Sequence, residues 1–516
     1  MPILHKNITN ATDIHNPKWL STANNGDYAW KNEKGELEST DEIVLPAALN
    51  FVDASLAPPT SSTGDIYILS SGGSVNAGWG SVLVGDWVRY DGALWNSITP
   101  QKSTLCYDKT ADSLKFYNGS AWSGIGGSSG ILAISDSSGS YTYYSNYNSA
   151  IAAASGGDTI EQFSDIVETG AVQVNIDKNI TINMNGYTYT LDSATSTTAF
   201  KLTSGALTDV KILNGSISKI NSTGGATLSS VGNSATKPII DFNGTTLSCD
   251  LIGSNTLDIL SNYTIKGLKV VGNGNIAIST NCILTDFNYI GNGAVVLYST
   301  SKAYNGYVSS TVSSSAFFIT SSTAQASNIV SHNTTGFGIR NVGTITNCKG
   351  YSDGNLGIYT YANGNMYDCY GFSSGSYGIQ FHGDECVNTI AKSVASYGFY
   401  VALNQNCKLS NCSAFSSVAS AFYLASSGTN SEVYNSHGES TLNASTGHAF
   451  FMQNGTVKLV NCSGKVLNTS ANCIRSNTSA NAYMVNLVGE GMTTLISNIT
   501  QLQTNTPDSF GNTLIG

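Results

Sequence analysis

The sequence predicts an all-β protein, a small N-terminal β domain followed by a parallel β-helix (solenoid), on three observations. First, seven C-terminal segments repeat a small residue followed by apolar or aromatic ones: Ala316-Phe317-Phe318-Ile319, Gly338-Ile339-Arg340, Gly357-Ile358-Tyr359, Gly378-Ile379-Gln380-Phe381, Gly398-Phe399-Tyr400-Val401, Ala421-Phe422-Tyr423-Leu424 and Ala449-Phe450-Phe451-Met452. Their small residues stand 22, 19, 21, 20, 23 and 28 positions apart. Second, another ladder runs in phase with the first: Asn347-Cys348, Asp368-Cys369, Ala391-Lys392, Asn411-Cys412, Asn435-Ser436 and Asn461-Cys462. Each repeat therefore holds at least two short strands, joined by turns rich in Asn, Ser and Gly, which tolerate tight or left-handed backbone. Third, no 3.6-residue periodicity persists and the LxxLxL consensus is missing, so stacked β-coils of about twenty residues fit better than helical or leucine-rich repeats.

Composition agrees. The chain has 516 residues, 11% charged and 41% apolar, with 27 Tyr and 17 Phe, which is not the composition of a disordered chain. Its net charge of −10 supplies no basic track for phosphates, so nucleic acid is not expected as a partner. No run of about eighteen apolar residues is present, so no membrane insertion is expected. The opening Met1-Pro2-Ile3-Leu4-His5-Lys6 has no apolar signal region, and assembly in a cytosol, or export by a route not visible in the sequence, is the expectation.

Ten cysteines raise the question of disulfides or metal. Cys348, Cys369, Cys412 and Cys462 share one phase of the repeat and should stack along the solenoid. Only Cys348 and Cys369 fall in adjacent coils of that set, close enough to bridge. Buried, reduced thiols acting as small apolar residues are expected. No CxxC or His/Cys group has zinc spacing, so no metal and no cofactor is expected.

Taken in order, residues 1–50 form a polar opening segment with Ile14-His15-Asn16-Pro17-Lys18 and a strand-turn-strand ending at Trp30. Residues 51–125 read as an antiparallel β module: Gly64-Asp65-Ile66-Tyr67-Ile68-Leu69, Gly85-Asp86-Trp87-Val88-Arg89-Tyr90, a turn at Asp91-Gly92, then Trp95 to Pro100, Leu105 to Asp108, and Leu114 to Trp122. Alternating aromatics with Asp-Gly and Asn-Gly turns are hairpin signals. A Gly/Ser-rich linker occupies 126–140. Residues 141–490 form the solenoid, opened by a short helix at Ala150-Ile151-Ala152-Ala153-Ala154 that ends in Gly156-Gly157-Asp158 and leads into Val174-Asn175-Ile176-Asp177-Lys178-Asn179-Ile180-Thr181-Ile182. A helix there would cover the open end of the stack. In 491–516, Leu495, Ile496, Ile499 and Leu502 stand at helical spacing, which predicts a small amphipathic helix serving as a trimerisation tip or an end cap.

These features resemble phage tail fibre and tailspike (receptor-binding) proteins. The "IHxPK" element and the order GDxY, GDWVxY, DGxxWxxIxP, YNGxxW are similar to modules of such proteins. The "AIxxAxxGDTI" helix followed by "VxIxKNITI" is similar to the first coil of pectate-lyase-like right-handed parallel β-helices. The resemblance implies a right-handed, trimeric β-helix. It implies virion attachment through residues 1–50, contacts with other tail proteins there, and an adaptor or carbohydrate-binding role for 51–125. It also implies location in the virion tail after assembly in the host cytoplasm, and a host-surface glycan as partner.

Two candidate sites follow from the repeat. If Ile339, Ile358, Ile379, Phe399, Phe422 and Phe450 point inward, then Arg340, Tyr359, Gln380, Tyr400, Tyr423 and Phe451 point outward as one stripe. Such a stripe suits sugar rings, which offer apolar faces and hydroxyls; it equally suits the subunit interface of a homotrimer. A slip of one residue would invert it. Catalytic carboxylates are sparse. Phe381-His382-Gly383-Asp384-Glu385 is the densest set, and His382 with Asp384 and Glu385 could do acid/base work; the plain alternative is a polar turn with solvated charges. The polygalacturonase motifs are absent as a set, and no calcium-type acid cluster is evident. Host-glycan binding during adsorption is therefore the favoured function. A polysaccharide depolymerase (hydrolase or lyase) on the same scaffold and a secreted bacterial adhesin are the alternatives.

Overall fold

The computed structural model describes residues 47–504, with short interruptions that include 63–64, 101–104, 126–130, 136–140 and 404–406. The opening motif at 14–30, the Gly/Ser run 126–130 and the segment from 505 onward lie outside the described residues. The chain divides into two compact units, 1–133 with 143–146, and 134–142 with 147–516.

The first unit is not the single antiparallel module that the sequence predicts. It contains two four-stranded sheets. Asn50–Asp53 runs parallel to Ile66–Ser71, which pairs antiparallel with Trp87–Tyr90 and through it with Trp95–Ile98. Ala47–Ala48 runs parallel to Leu105–Asp108, followed antiparallel by Ser113–Tyr117 and Trp122–Ile125. The parallel edges come from residues 47–53, whose sequence carries no hairpin signal toward either sheet. Leu69, Trp79 and Val88 form one small core; Ile68, Trp87 and Cys106 form another. The Asp91-Gly92 turn is held by the Asp91 carboxylate, which accepts from Ala93 and Leu94 N–H at 2.9 and 2.8 Å. Those backbone donors hold its carboxyl below the ordinary range.

The second unit is an all-β solenoid of parallel coils. Its helix, Tyr147–Ala153, buries Tyr147, Ala150 and Ile151. Lys178 caps the helix C-terminus, donating from Nζ to the carbonyls of Ile151, Ala152 and Ala154 at 2.8, 2.9 and 2.8 Å. A cation there satisfies orphan carbonyls and opposes the negative end of the helix. Lys178 therefore ties the opening helix to the "KNITI" coil predicted to follow it.

A well-formed coil has three strands, for example Asn365–Tyr367, Tyr370–Ser373 and Ile379–Phe381. The first corner is one residue in left-handed conformation: Asn347, Asp368, Asn388, Asn411, Asn435 and Asn461 have φ of 51°, 54°, 52°, 55°, 49° and 54°. The sequence reading placed Ala391-Lys392 in this ladder. That position belongs to Asn388, because only Asn, Asp or Gly takes positive φ cheaply; Ala391 lies inside a strand, in register with Gly371 and Ala414. The corner amides also bond along the stack. Asn347 Nδ2 donates to Asn328 Oδ1 at 2.8 Å, Asn388 to Asp368 at 2.9 Å, Asn411 to Asn388 at 3.1 Å, and Asn461 to Asn435 at 3.1 Å.

The residue after each corner points inward and donates to the carbonyl two positions back. Cys348, Cys369, Cys412 and Cys462 do so, as do Thr389 and Ser436 in the intervening coils. All ten cysteines are buried and free. At the second corner, Ser352, Ser373, Ser393, Ser416 and Ser440 stack in register and are buried. Ser352, Ser416 and Ser440 donate to Gly336, Ser396 and Ala419 carbonyls at 2.7, 2.6 and 2.7 Å. These hydroxyls satisfy buried backbone that the turn leaves unpaired.

The small residue of the opening motif now has a cause. A Cβ on Gly378 would stand 2.5 Å from the Lys392 carbonyl oxygen, and one on Gly357 2.5 Å from the Phe372 nitrogen. Two strand backbones approach there with no room even for a methyl group. Just beyond, the lumen opens for a continuous apolar stack, Phe317, Ile339, Ile358, Ile379, Phe399, Phe422, Phe450 and Ile474, all in register and buried. Phe422 lies between Phe399 and Phe450, with ring centroids at 5.5 and 4.8 Å and planes within 10° and 4° of parallel.

Among the described residues the predicted C-terminal helix does not form. Thr494–Ser497 and Gln501–Thr504 are strands that pair parallel with Asn472–Val485. The coil stack thus continues past residue 490. An open sheet edge offers a full row of backbone partners, and this outweighs a short helical spacing of apolar residues.

Candidate functional site

The predicted stripe is one column of the third strand. Arg340 pairs with Tyr359, Tyr359 with Gln380, Gln380 with Tyr400, Tyr400 with Tyr423, and Tyr423 with Phe451. Phe318 precedes Arg340 and Arg475 follows Phe451 in the same column. Each is half-buried, while the neighbouring column forms the lumen stack. The phase of the alternation is therefore the one the small–apolar motif implies.

Rungs at about 4.8 Å bring equivalent rings into stacking range. Tyr400 stacks on Tyr423 at 5.2 Å with planes 9° apart, and Tyr423 lies 5.3 Å from Phe451. A second column, not foreseen in the sequence, thickens the face. Tyr377 stacks on Tyr400 at 4.7 Å and 6°, and Tyr397 lies 4.4 Å from Tyr423. The available signal was the recurrent Ser-Tyr-Gly at 376–378 and 396–398, which sets an aromatic just before the constricted glycine. Partial burial pushes the Tyr377 and Tyr397 hydroxyls up, and with the neighbouring tyrosines it pushes Tyr423 up to about 12. The phenols stay neutral and able to donate. Tyr423 Oη donates to Gln453 Oε1.

The N-terminal end of the face is built around Arg340. Its guanidinium carbon lies 4.6 Å from the Phe318 ring centre and 4.5 Å from that of Tyr361. Tyr361 in turn contacts Tyr359 edge-on at 4.5 Å, and Tyr359 stacks on Phe337 at 5.5 Å. Gln380 is bonded to His382, Nε2 to Nε2, at 2.7 Å, and His382 meets Tyr359 edge-on at 5.4 Å. At the far end Arg475 Nη1 stands 3.4 Å from His448 Nε2, and His448 stacks on Phe451 at 5.9 Å.

The candidate acid/base set does not converge. His382 belongs to the aromatic face, and burial lowers its pKa. Asp384 is exposed in the turn that follows. Glu385 opens the next strand, where its Oε2 accepts from Tyr367 Oη at 2.8 Å. No hydrogen bond or ion pair links His382 to either carboxylate among the described residues. The corner after Phe381 sends the chain onto another face, so adjacency in sequence becomes divergence in space. Of the neighbouring acids, Asp353 faces His332 at 3.1 Å and Asp368 belongs to the corner ladder. No group of three or more metal-ligating side chains is present among the described residues, and no helix there is long and apolar enough to cross a membrane.

No protein-family model matches the chain, and no curated protein matches it. Among solved structures, the chain is similar to the A-module of the mannuronan C-5 epimerase AlgE6 of Azotobacter vinelandii, with 12% identity, a TM-score of 0.29, and coverage of 70% of this chain and 93% of that one. The periplasmic alginate epimerase AlgG gives 8% identity and a TM-score of 0.25, over 67% of this chain and 84% of that one.

Proposed function

We propose that this chain is a phage tail fibre or tailspike protein that binds host cell-surface polysaccharide during adsorption, with the solenoid's aromatic column as the binding face. The observation that carries the reading is the run of stacked, half-exposed rings from Tyr377 to Phe451 on a rigid sheet. Aromatic platforms interleaved with hydrogen-bonding groups match the apolar faces and hydroxyls of sugar rings. In this reading residues 1–50 attach to other virion tail proteins and the working form is a homotrimer in the virion tail, assembled in the host cytoplasm. The sequence resemblance of the opening motif and the aromatic β module supports that placement. Binding ranks above cleavage because His382, Asp384 and Glu385 do not share a site.

The test is binding of the purified chain to a printed array of bacterial surface polysaccharides, alongside Tyr400→Ala/Tyr423→Ala and sedimentation of both proteins. Loss of glycan binding by the double variant, with the oligomer unchanged, is expected. If the double variant dissociates an oligomer and the intact protein binds no glycan, the column is a subunit seam and the proposal fails.

A further inference from the structure

We infer that the polysaccharide bound by this face carries carboxylate groups, and that Arg340 is the residue that reads them. The inference rests on the glycan-binding reading above and narrows it to an acidic chain.

The chain has only three arginines, Arg89, Arg340 and Arg475. Two of them occupy the same outward column, six rungs apart, which is about 29 Å at the rung spacing. Between them stand Tyr359, Gln380, Tyr400, Tyr423 and Phe451, none of them acidic. A net charge of −10 makes this absence of carboxylates from the column notable.

Arg340 is not in a structural ion pair. It has neither a salt bridge nor a hydrogen bond among the described residues, and its Nε is buried without an acceptor. The rings of Phe318 and Tyr361 both lie within cation–π distance of the guanidinium. Rings at that distance hold the charge by cation–π attraction and accept no N–H hydrogen bond from its edge, which is left to seek an acceptor. That edge carries N–H donors in a fork that matches the two oxygens of a carboxylate. A lysine would offer a point charge without the fork.

The other charged end differs. Arg475 lies against His448 Nε2, and burial together with that cation lowers the His448 pKa to about 4. His448 therefore stays neutral, and no carboxylate pairs with Arg475 among the described residues. Because the protein as a whole is acidic, long-range attraction does not draw in a polyanion; recognition must come from these local cations. Neutral rings between them would carry the sugar faces while the arginines select the charge.

The experiment prints uronate-bearing bacterial polysaccharides on one array in native and carboxyl-reduced form, beside neutral polysaccharides. Carboxyl reduction replaces the carboxylate by a hydroxymethyl group and keeps the ring. The full-length protein should bind native acidic chains at least tenfold more tightly than their reduced forms. Arg340→Gln should abolish that difference, and Arg340→Lys should recover only part of it. Arg340→Met, which keeps the packing volume between the rings, separates lost packing from lost recognition; its thermal unfolding should match the parent while it binds like Arg340→Gln. Equal binding of native and reduced chains overturns the inference while leaving the aromatic face as a glycan site. Undiminished selectivity in Arg340→Gln also overturns it. Binding of no glycan overturns both this inference and the function it rests on.

Discussion

Asn388→Asp tests the corner ladder with the least disturbance to shape. Asn388 sits at φ 52°, a conformation that Asp tolerates nearly as well as Asn. Its Nδ2 donates to Asp368 Oδ1 at 2.9 Å, and its Oδ1 accepts from Asn411 at 3.1 Å. The substitution keeps the acceptor and removes the donor. It also sets a second carboxylate one rung, about 4.8 Å, from that of Asp368. Two unit charges at that distance repel by about 1 kcal/mol in bulk water and about 3.5 kcal/mol at an effective dielectric of 20. Both residues are exposed, so the lower figure applies. The lost hydrogen bond adds about 1 kcal/mol. Destabilisation of about 2 kcal/mol at pH 7 is expected. It should shrink as acid protonates the introduced carboxyl, which removes the repulsion and supplies a donor. The converse change, Asp368→Asn, provides the one corner of this run that cannot donate toward Asn347 with an amide, and should stabilise by about 1 kcal/mol. A solenoid opens locally, with each coil held by its neighbours. Native-state hydrogen exchange of the amides in Asn365–Tyr367 and Glu385–Val387 is therefore the appropriate assay. Unchanged protection in Asn388→Asp at pH 7, or weaker protection in Asp368→Asn, would refute the electrostatic account of the corner.

Three further outcomes are expected. Phe422→Ala removes a ring stacked on both sides and should cost about 3–5 kcal/mol, read as reduced exchange protection around Phe399–Leu403; a loss under 1 kcal/mol would mean that the lumen collapses around the gap. Gly378→Val forces a Cβ to within 2.5 Å of the Lys392 carbonyl oxygen and should destabilise by about 1–3 kcal/mol in denaturant, whereas an unaffected midpoint would show that the strands part freely. His448 titrates in the unfolded chain near its ordinary 6.5 but in the fold only at about 4. The unfolded state thus binds the extra proton first, and stability falls as pH drops from about 6.5 to 4, by up to about 3 kcal/mol. Acid titration of His448→Gln should lack that slope, and an identical slope would remove His448 as its source.

Much of the architecture was legible because a solenoid is a local code. The small–apolar motif sets the register of the third strand, and strand alternation then assigns each neighbour to lumen or surface. That is how Tyr400 and Phe399 could be sorted from sequence. The phase of the thiols Cys348, Cys369, Cys412 and Cys462 followed from the same ladder. The ladder departs from the sequence expectation at one rung, where spacing cannot choose: Ala391 stands 23 and 20 residues from its neighbours in the ladder, Asn388 20 and 23. Backbone conformation, not spacing, decides which residue turns the corner.

Other features depend on which coils stack, and no single repeat contains that information. Leu495, Ile496, Ile499 and Leu502 satisfy a helical spacing, yet the edge left by Asn472–Val485 recruits Leu495, Ile496 and Leu502 into strands. His382, Asp384 and Glu385 are contiguous in the chain, but a corner separates them and leaves His382 among the tyrosines. The repeat, and the outward column from Arg340 to Phe451 that follows if Ile339 and its equivalents face inward, are legible in the sequence; burial in the stacked coils sets that phase. It is the stacking of coils that brings Phe318 and Tyr361, 22 residues before and 21 after Arg340, within cation–π distance of its guanidinium. Those contacts arise from the vertical stacking of coils of unequal length, and they turn one arginine in a repeat into a cation held by rings and, among the described residues, unpaired.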